Sequence, residues 1–89
     1  MRIFKHTLES SHTILTVGWG TNLLSVKNQK EKVVLYYAES LSRRKQQIKV
    51  KIFLTGEEEL PEISNMHFLG TVMLNDGDFV VHVFWEALE

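Results

Sequence analysis

The chain has 89 residues, 44% hydrophobic and 24% charged, which predicts one globular domain over residues 1–89 rather than a disordered tail or a coiled coil. It contains no cysteine, which excludes a disulfide framework and any metal site built on thiolates. The net charge of −1 at pH 7 argues against general affinity for nucleic acid.

Short runs of β-branched and aromatic residues, separated by turn-forming residues, predict β-strands along most of the chain. In chain order the predicted strands cover residues 2–8, 13–17, 23–28, 33–39, 47–55, 67–74 and 79–85. Seven short strands at this spacing are typical of an all-β fold, a small antiparallel β-sandwich or barrel. At most one short helix is expected, and residues 35–47 are the segment where a helix is the alternative.

The strand at 47–55 has the most regular alternation in the chain, which predicts one core face and one solvent face. The core face is expected to carry Ile48, Val50, Ile52 and Leu54, and the other face Lys49, Lys51 and Phe53.

The last two strands are predicted to form a hairpin, because Asp76-Gly77 suits a two-residue turn that needs positive φ. This turn would place Thr71 opposite His82. Both strands are apolar on both faces, so they are expected to be central strands or to be covered by another subunit. Phe79, Val83 and Phe84 are therefore expected in the core or at an interface.

No pattern of catalytic or metal-binding residues is present. None of the four histidines has a second histidine or a carboxylate at metal-ligand spacing, and the chain has no nucleophile elbow or phosphate-binding loop. We therefore expect no enzymatic activity, no metal and no cofactor. For His82 the favoured interpretation is a histidine at the edge of the core, hydrogen-bonded to Thr71; a role of this pair in ligand binding is the alternative.

Two features point to binding. Trp19 lies between two glycines, where an indole either meets a partner or covers the end of its own sandwich. A basic group, expected at a hairpin tip and along the following strand, suits phosphate or carboxylate recognition, although charge at such a tip also serves solubility. The candidate binding residues are Trp19, Arg43, Arg44, Lys45, Lys49, Lys51, Thr71 and His82.

Charge is segregated along the chain. All ten Lys and Arg lie in residues 1–51, whereas residues 52–89 hold eight of the eleven acids. The strand at 47–55 would separate the basic tip from the acidic run Glu57-Glu58-Glu59 by roughly 30 Å, so the two cannot neutralise each other within one subunit. Two subunits laid antiparallel would bring them together, which predicts a homodimer or a higher even-numbered oligomer whose association rate falls with salt.

Six short segments form an ordered pattern along the chain: the opening Arg2-Ile3-Phe4-Lys5, Leu24-Ser25-Val26, Val34-Leu35-Tyr36, Thr55-Gly56, Leu69-Gly70-Thr71-Val72 and Phe79-Val80-Val81-His82-Val83-Phe84. Together they resemble a family of small phage-encoded β-rich proteins whose function is uncharacterised. The resemblance implies a phage accessory protein that acts in the host cytoplasm. The sequence also shows no apolar run long enough to cross a membrane and no secretory signal, so we expect a cytoplasmic protein without membrane contact.

Three functions remain open at this point. The leading hypothesis is an accessory binding protein that inhibits or modulates a host or defence protein by occupying its surface. The second is a sponge that sequesters a phosphorylated nucleotide signal through the basic group and an aromatic ring. The third is a module of the OB type that binds single-stranded nucleic acid.

Overall fold

Antiparallel strands in two sheets make up the computed structural model, which describes residues 1–56 and 61–88. The strands are β1 (Arg2–Thr7), β2 (His12–Gly18), β3 (Asn22–Gln29), β4 (Lys32–Glu39), β5 (Lys45–Leu54), β6 (His67–Leu74) and β7 (Phe79–Leu88). Each predicted strand is confirmed to within a few residues. The acidic run at 57–59 lies outside the described residues.

The two sheets have three and four strands. Sheet A has the order β1-β4-β3 and sheet B the order β2-β5-β7-β6, with every neighbouring pair antiparallel. The all-β antiparallel sandwich is therefore confirmed. The sheets approach each other at the β3 and β6 edges, where the Asn28 side chain donates a 2.9 Å hydrogen bond to the Met73 carbonyl oxygen.

The core lies between the sheets and consists of aliphatic side chains at alternate strand positions. Val17 and Leu35 come from β2 and β4, and Ile48, Val50 and Val83 come from the two central strands of sheet B. Leu35 and Val83 are completely buried, and Ile48 and Val50 retain 1% of their exposure. Of the candidate site residues, these two central strands carry Lys45, Lys49, Lys51 and His82.

Two burial predictions for the strand ends are wrong. Leu54, expected in the core, is the last residue of β5 and is 47% exposed. Phe53, expected on the solvent face, is 4% exposed and packs edge-on against Phe84 with the ring centroids 5.8 Å apart. Phe79 begins β7 and is 53% exposed, whereas Val83 lies in the core as expected.

The segment at 35–47 contains no helix. β4 continues to Glu39, β5 begins at Lys45, and residues 40–44 cross from sheet A to sheet B. The sequence predicted the basic residues before β5 at a hairpin tip. This prediction is wrong, because β4 and β5 belong to different sheets. Helical geometry among the described residues is limited to two short 3₁₀ segments, Pro61–Asn65 and Asn75–Gly77.

The β6–β7 hairpin forms with the predicted register, in which Thr71 faces His82. Asn75, Asp76 and Gly77 have φ of 52°, 56° and 93°, and the Asp78 N–H donates to the Asn75 carbonyl oxygen at 3.1 Å. Asn, Asp and Gly are the residues that adopt positive φ at the lowest cost, which explains why the turn forms here.

Candidate binding site at the arch end

Two connections that cross between the sheets meet at one end of the sandwich. Residues 19–21 join β2 to β3, and residues 40–44 join β4 to β5; we call these two segments, with Gly18 at the end of β2, the arch end. Their backbones approach so closely that a Cβ on Gly18 would lie 2.3 Å from the Ser40 carbonyl oxygen. Only glycine fits at this position.

Thr21 fastens the two arches to each other. Its hydroxyl donates a 2.7 Å hydrogen bond to the Gly18 carbonyl oxygen and accepts the Ser40 N–H at 3.0 Å. The Thr21 N–H also donates to the Gly18 carbonyl oxygen at 3.1 Å. One side chain therefore closes its own turn and fixes the neighbouring arch.

Two serines extend this hydrogen-bond network to the basic residues. The Ser42 N–H donates to the Ser40 hydroxyl at 3.1 Å, and the Arg44 N–H donates to the Ser42 hydroxyl at 3.2 Å. The Arg44 carbonyl oxygen then accepts the Trp19 N–H at 2.8 Å. These bonds tie the backbone of the Trp19 turn to the backbone of the basic arch.

The side chains of Trp19 and Arg44 stack on each other. The guanidinium carbon lies 4.0 Å from the centroid of the indole ring, within the range of a cation–π contact, which contributes about 0.5–1 kcal/mol at an exposed site. Trp19 nevertheless remains 50% exposed. The indole is therefore held in place without being buried.

Two open depressions flank Lys45. One, of about 300 Å³, is lined by Trp19, Arg44 and Gln47 together with Lys45. The other, of about 260 Å³, is lined by Phe4, Glu39 and Leu41 among others. Leu41 is 81% exposed, the most exposed of the large hydrophobic side chains described. The arch end thus places apolar and basic side chains, together with the Glu39 carboxylate, around two depressions.

Tyr37 contacts Phe4, which lines the second depression. Its ring stacks on Phe4 with the centroids 6.0 Å apart. Burial raises the pKa of the Tyr37 phenol above its ordinary value of 10.0, and the nearby Glu39 carboxylate raises it further. The phenol is therefore neutral at physiological pH and does not add charge to the site.

The cations of the arch end are not neutralised by the described residues. Arg43, Arg44 and Lys45 are all exposed, and none of them forms an ion pair within residues 1–56 or 61–88. Further along β5 the situation differs, because Lys49 lies 3.8 Å from a Glu86 carboxylate oxygen. The arch end therefore presents exposed positive charge that no described carboxylate pairs with.

Lys49 and Lys51 do not join this group. Both lie on the outer face of β5, and Lys51 sits over the Phe53 ring at 5.3 Å from its centroid. Lys51 lies six positions after Lys45, which is roughly 20 Å along a strand. The basic group predicted as one site is therefore divided between the arch end and the outer face of sheet B.

Thr71 and His82 lie further still from the arch end, and their geometry favours the structural interpretation. The Thr71 hydroxyl is 2.9 Å from His82 Nδ1, and the Thr55 hydroxyl is 2.7 Å from His82 Nε2. Both ring nitrogens therefore have a partner within the chain. No three His, Asp or Glu side chains among the described residues are arranged to hold a metal.

The hydroxyls of Thr21, Ser40 and Ser42 are the part of the site that sequence analysis missed. The only feature of the local sequence that could have indicated them is that small polar residues flank Trp19 and the basic group. Their contacts depend on two arches that are 19 residues apart in sequence.

A family model for a domain of unknown function, DUF7352, matches residues 1–89. The chain belongs to this family. No curated protein and no solved structure matches it. Among the described residues of this DUF7352 protein, no helix is long and apolar enough to span a bilayer.

Proposed function

We propose that this protein is a non-catalytic binding protein that attaches to a partner protein through the arch end. The observation that carries the proposal is the Trp19–Arg44 stack, which is half exposed yet fixed by hydrogen bonds to both arches. Trp and Arg are enriched among residues that dominate binding energy at protein interfaces. Groups that are already held in place lose little entropy when a partner binds.

The chemistry of the arch end suggests the surface of that partner. Exposed Leu41 and Trp19 offer apolar contacts, and Arg43 and Lys45 offer positive charge beside them. An apolar patch bordered by carboxylates is complementary to this arrangement. In line with the resemblance to phage accessory proteins, the expected partner is a host protein, inhibited or modulated through occupation of its surface.

A phosphorylated nucleotide is the second candidate ligand, favoured by the depression of about 300 Å³ beside Trp19. Its base would stack on the indole, and Lys45 with Arg43 would contact the phosphates. The guanidinium of Arg44 already lies over one ring face, which leaves only the other for a base. Single-stranded nucleic acid is less favoured, since a continuous basic track would need Lys49, which is paired with Glu86.

The protein-binding proposal is tested by affinity capture with matched variants. Immobilised wild-type protein is expected to retain a partner from cell extract, whereas Lys45→Glu and Trp19→Ala are expected to lose it. The controls are Lys27→Glu, the same charge reversal at an exposed lysine of β3, and Phe79→Ala, an aromatic of similar exposure on β7. Equal capture by all four variants would place the binding surface elsewhere.

The nucleotide alternative is tested in parallel by thermal unfolding with a panel of mono- and dinucleotides. The protein-binding proposal predicts no change in melting temperature with any of them. A rise that Trp19→Ala abolishes, and that Phe79→Ala leaves intact, would favour the nucleotide sponge, because a ligand that binds only the folded state stabilises it.

A further inference from the structure

We infer that two copies of this chain pair through the β2 edge, so that their four-stranded sheets join into one continuous eight-stranded sheet. This interaction goes beyond the proposed function. It uses the β2 edge, of which Thr16 also lines the depression of about 300 Å³ beside Trp19. The inference rests on the backbone N–H and C=O groups that remain unpaired at the edges of the two sheets.

The hydrogen-bond pattern along β2 shows which of its backbone N–H and C=O groups point away from the sheet. At the two ends of the β2–β5 pair, the Ile52 N–H donates to the Ser11 carbonyl oxygen at 3.0 Å and the Trp19 N–H donates to the Arg44 carbonyl oxygen at 2.8 Å. In an antiparallel pair, alternate residues bond to the neighbour. The odd-numbered residues of β2 therefore bond to β5, and the even-numbered residues direct their N–H and C=O groups away from the sheet.

Side chains already occupy the two ends of this edge. The Ser10 hydroxyl accepts the His12 N–H at 3.2 Å and donates to the His12 carbonyl oxygen at 2.7 Å. At the other end, the Gly18 carbonyl oxygen accepts two bonds from Thr21. Among the described residues of this edge, only Ile14 and Thr16 keep both outward groups, the N–H and the C=O, without a partner.

These four groups are complementary to their own copy. A twofold axis beside Leu15 would place Ile14 opposite Thr16 of the second copy and Thr16 opposite Ile14. Each pair exchanges two N–H···O=C bonds, so the seam holds four hydrogen bonds and matches every outward group of Ile14 and Thr16. Ile14, which is 50% exposed, would gain apolar cover from the second copy.

The other three sheet edges are less suited to pairing. β3 and β6 lie against each other, as the Asn28–Met73 hydrogen bond shows. β1 carries Lys5 at the centre of its outward positions, where a twofold axis would bring two lysines together; a lysine on an edge strand protects against such pairing. β2 carries no Lys, Arg, Asp or Glu.

A second copy fits this edge better than a flexible peptide. The unpaired window is only two residues long, so any added strand gains four hydrogen bonds here, each contributing modestly in water. A flexible peptide loses conformational entropy when it becomes extended, whereas β2 of a second copy is already extended in its own sheet. The window therefore favours a strand that is already ordered.

The test compares the same substitution at two exposed isoleucines on different edges. In sedimentation at tens of micromolar, the wild type is expected at twice the 10.3 kDa chain mass. Ile14→Lys is expected to weaken association at least ~10-fold, whereas Ile3→Lys on β1, where Ile3 is 69% exposed, is expected to leave it unchanged. Since the seam contains no ion pair, salt should have little effect, in contrast to the charge-directed dimer expected from the sequence.

Amide hydrogen exchange of the wild type provides a readout that needs no substitution. The Ile14 and Thr16 amides are expected to exchange slowly at high protein concentration and rapidly on dilution, while Lys5 and Thr7 exchange rapidly at both. A wild type that stays monomeric, a dimer that Ile14→Lys leaves intact, or concentration-dependent protection at Lys5 and Thr7 instead would each overturn the inference.

Discussion

Replacement of Thr21 by valine tests whether the arch end is held rigid by hydrogen bonds. Valine has nearly the same shape as threonine but has no hydroxyl, so the packing is kept. The change removes the bond to the Gly18 carbonyl oxygen, 2.7 Å long, and the bond from the Ser40 N–H, 3.0 Å long. The Ser40 N–H is then left without its acceptor.

The expected cost follows from these two bonds. A hydrogen bond contributes about 0.5–1.5 kcal/mol net, so the loss of two predicts a decrease of about 1–3 kcal/mol in the free energy of unfolding. For a domain of this size, each kcal/mol corresponds to a melting temperature change of roughly 4–8 °C. Thr21→Val is therefore expected to melt roughly 8–16 °C below the wild type if the loss is about 2 kcal/mol.

Thermal and urea unfolding of three variants measure this effect. Thr21→Ser keeps the hydroxyl and should remain close to the wild type. Thr13→Val makes the same substitution at a β2 position with no side-chain hydrogen bond among the described residues, and should not destabilise. If Thr21→Val melts within two degrees of the wild type, or if Thr21→Ser is equally destabilised, the hydroxyl does not fasten the arches.

Three further predictions concern the core, the arches and pH. Ile48→Ala should cost about 2–5 kcal/mol in urea unfolding because Ile48 is 1% exposed, whereas Ile14→Ala, at a half-exposed position, should cost far less. Gly18→Ala should cost about 1–3 kcal/mol in the same assay, since its Cβ would overlap the carbonyl oxygen of the facing arch. The raised pKa of Tyr37 stabilises the fold below pH 10.0, and this contribution should be lost as pH rises through the folded-state pKa. Phenolate absorbance measures this pKa, and Glu39→Gln should lower it because the nearby negative charge is removed.

The strands and one register could be predicted because their signals are local. Alternation of β-branched and apolar residues marks each strand, and the Asp76-Gly77 turn is enough to place Thr71 opposite His82. The assignment of strands to sheets could not be predicted in this way. Residues 40–44 have the composition of a hairpin tip but form an arch, because the partners of β4 and β5 are chosen by long-range pairing.

The exposed residues of the candidate site could be predicted from the sequence, whereas the residues that hold them in place by hydrogen bonds could not. Trp19, Arg44 and Lys45 were identified from residue type alone, and the structure brings them together. Thr21 and Ser40 act only through contact between two arches, so nothing in either segment distinguishes them from ordinary loop residues. The same limit explains Phe53, whose burial depends on its position against Phe84 rather than on its place in the alternation.

The basic and acidic halves of the sequence form an ion pair along part of β5. The β5–β7 pairing brings Lys49 beside Glu86, but its first residue pair is Gln47 with Leu88. The basic residues of the arch end precede Gln47 and therefore have no partner residue in this pairing.

The exposed charge and the exposed aromatic ring of the arch end are expected to affect binding kinetics differently. Exposed charge mainly accelerates encounter, whereas well-placed aromatic contacts mainly slow dissociation. Surface plasmon resonance with the captured partner should therefore show Lys45→Glu lowering the association rate in a salt-dependent manner, and Trp19→Ala raising the dissociation rate at any salt concentration. A Lys45→Glu variant with an unchanged association rate at low salt would remove charge steering from the mechanism and leave the Trp19–Arg44 stack as the basis of binding.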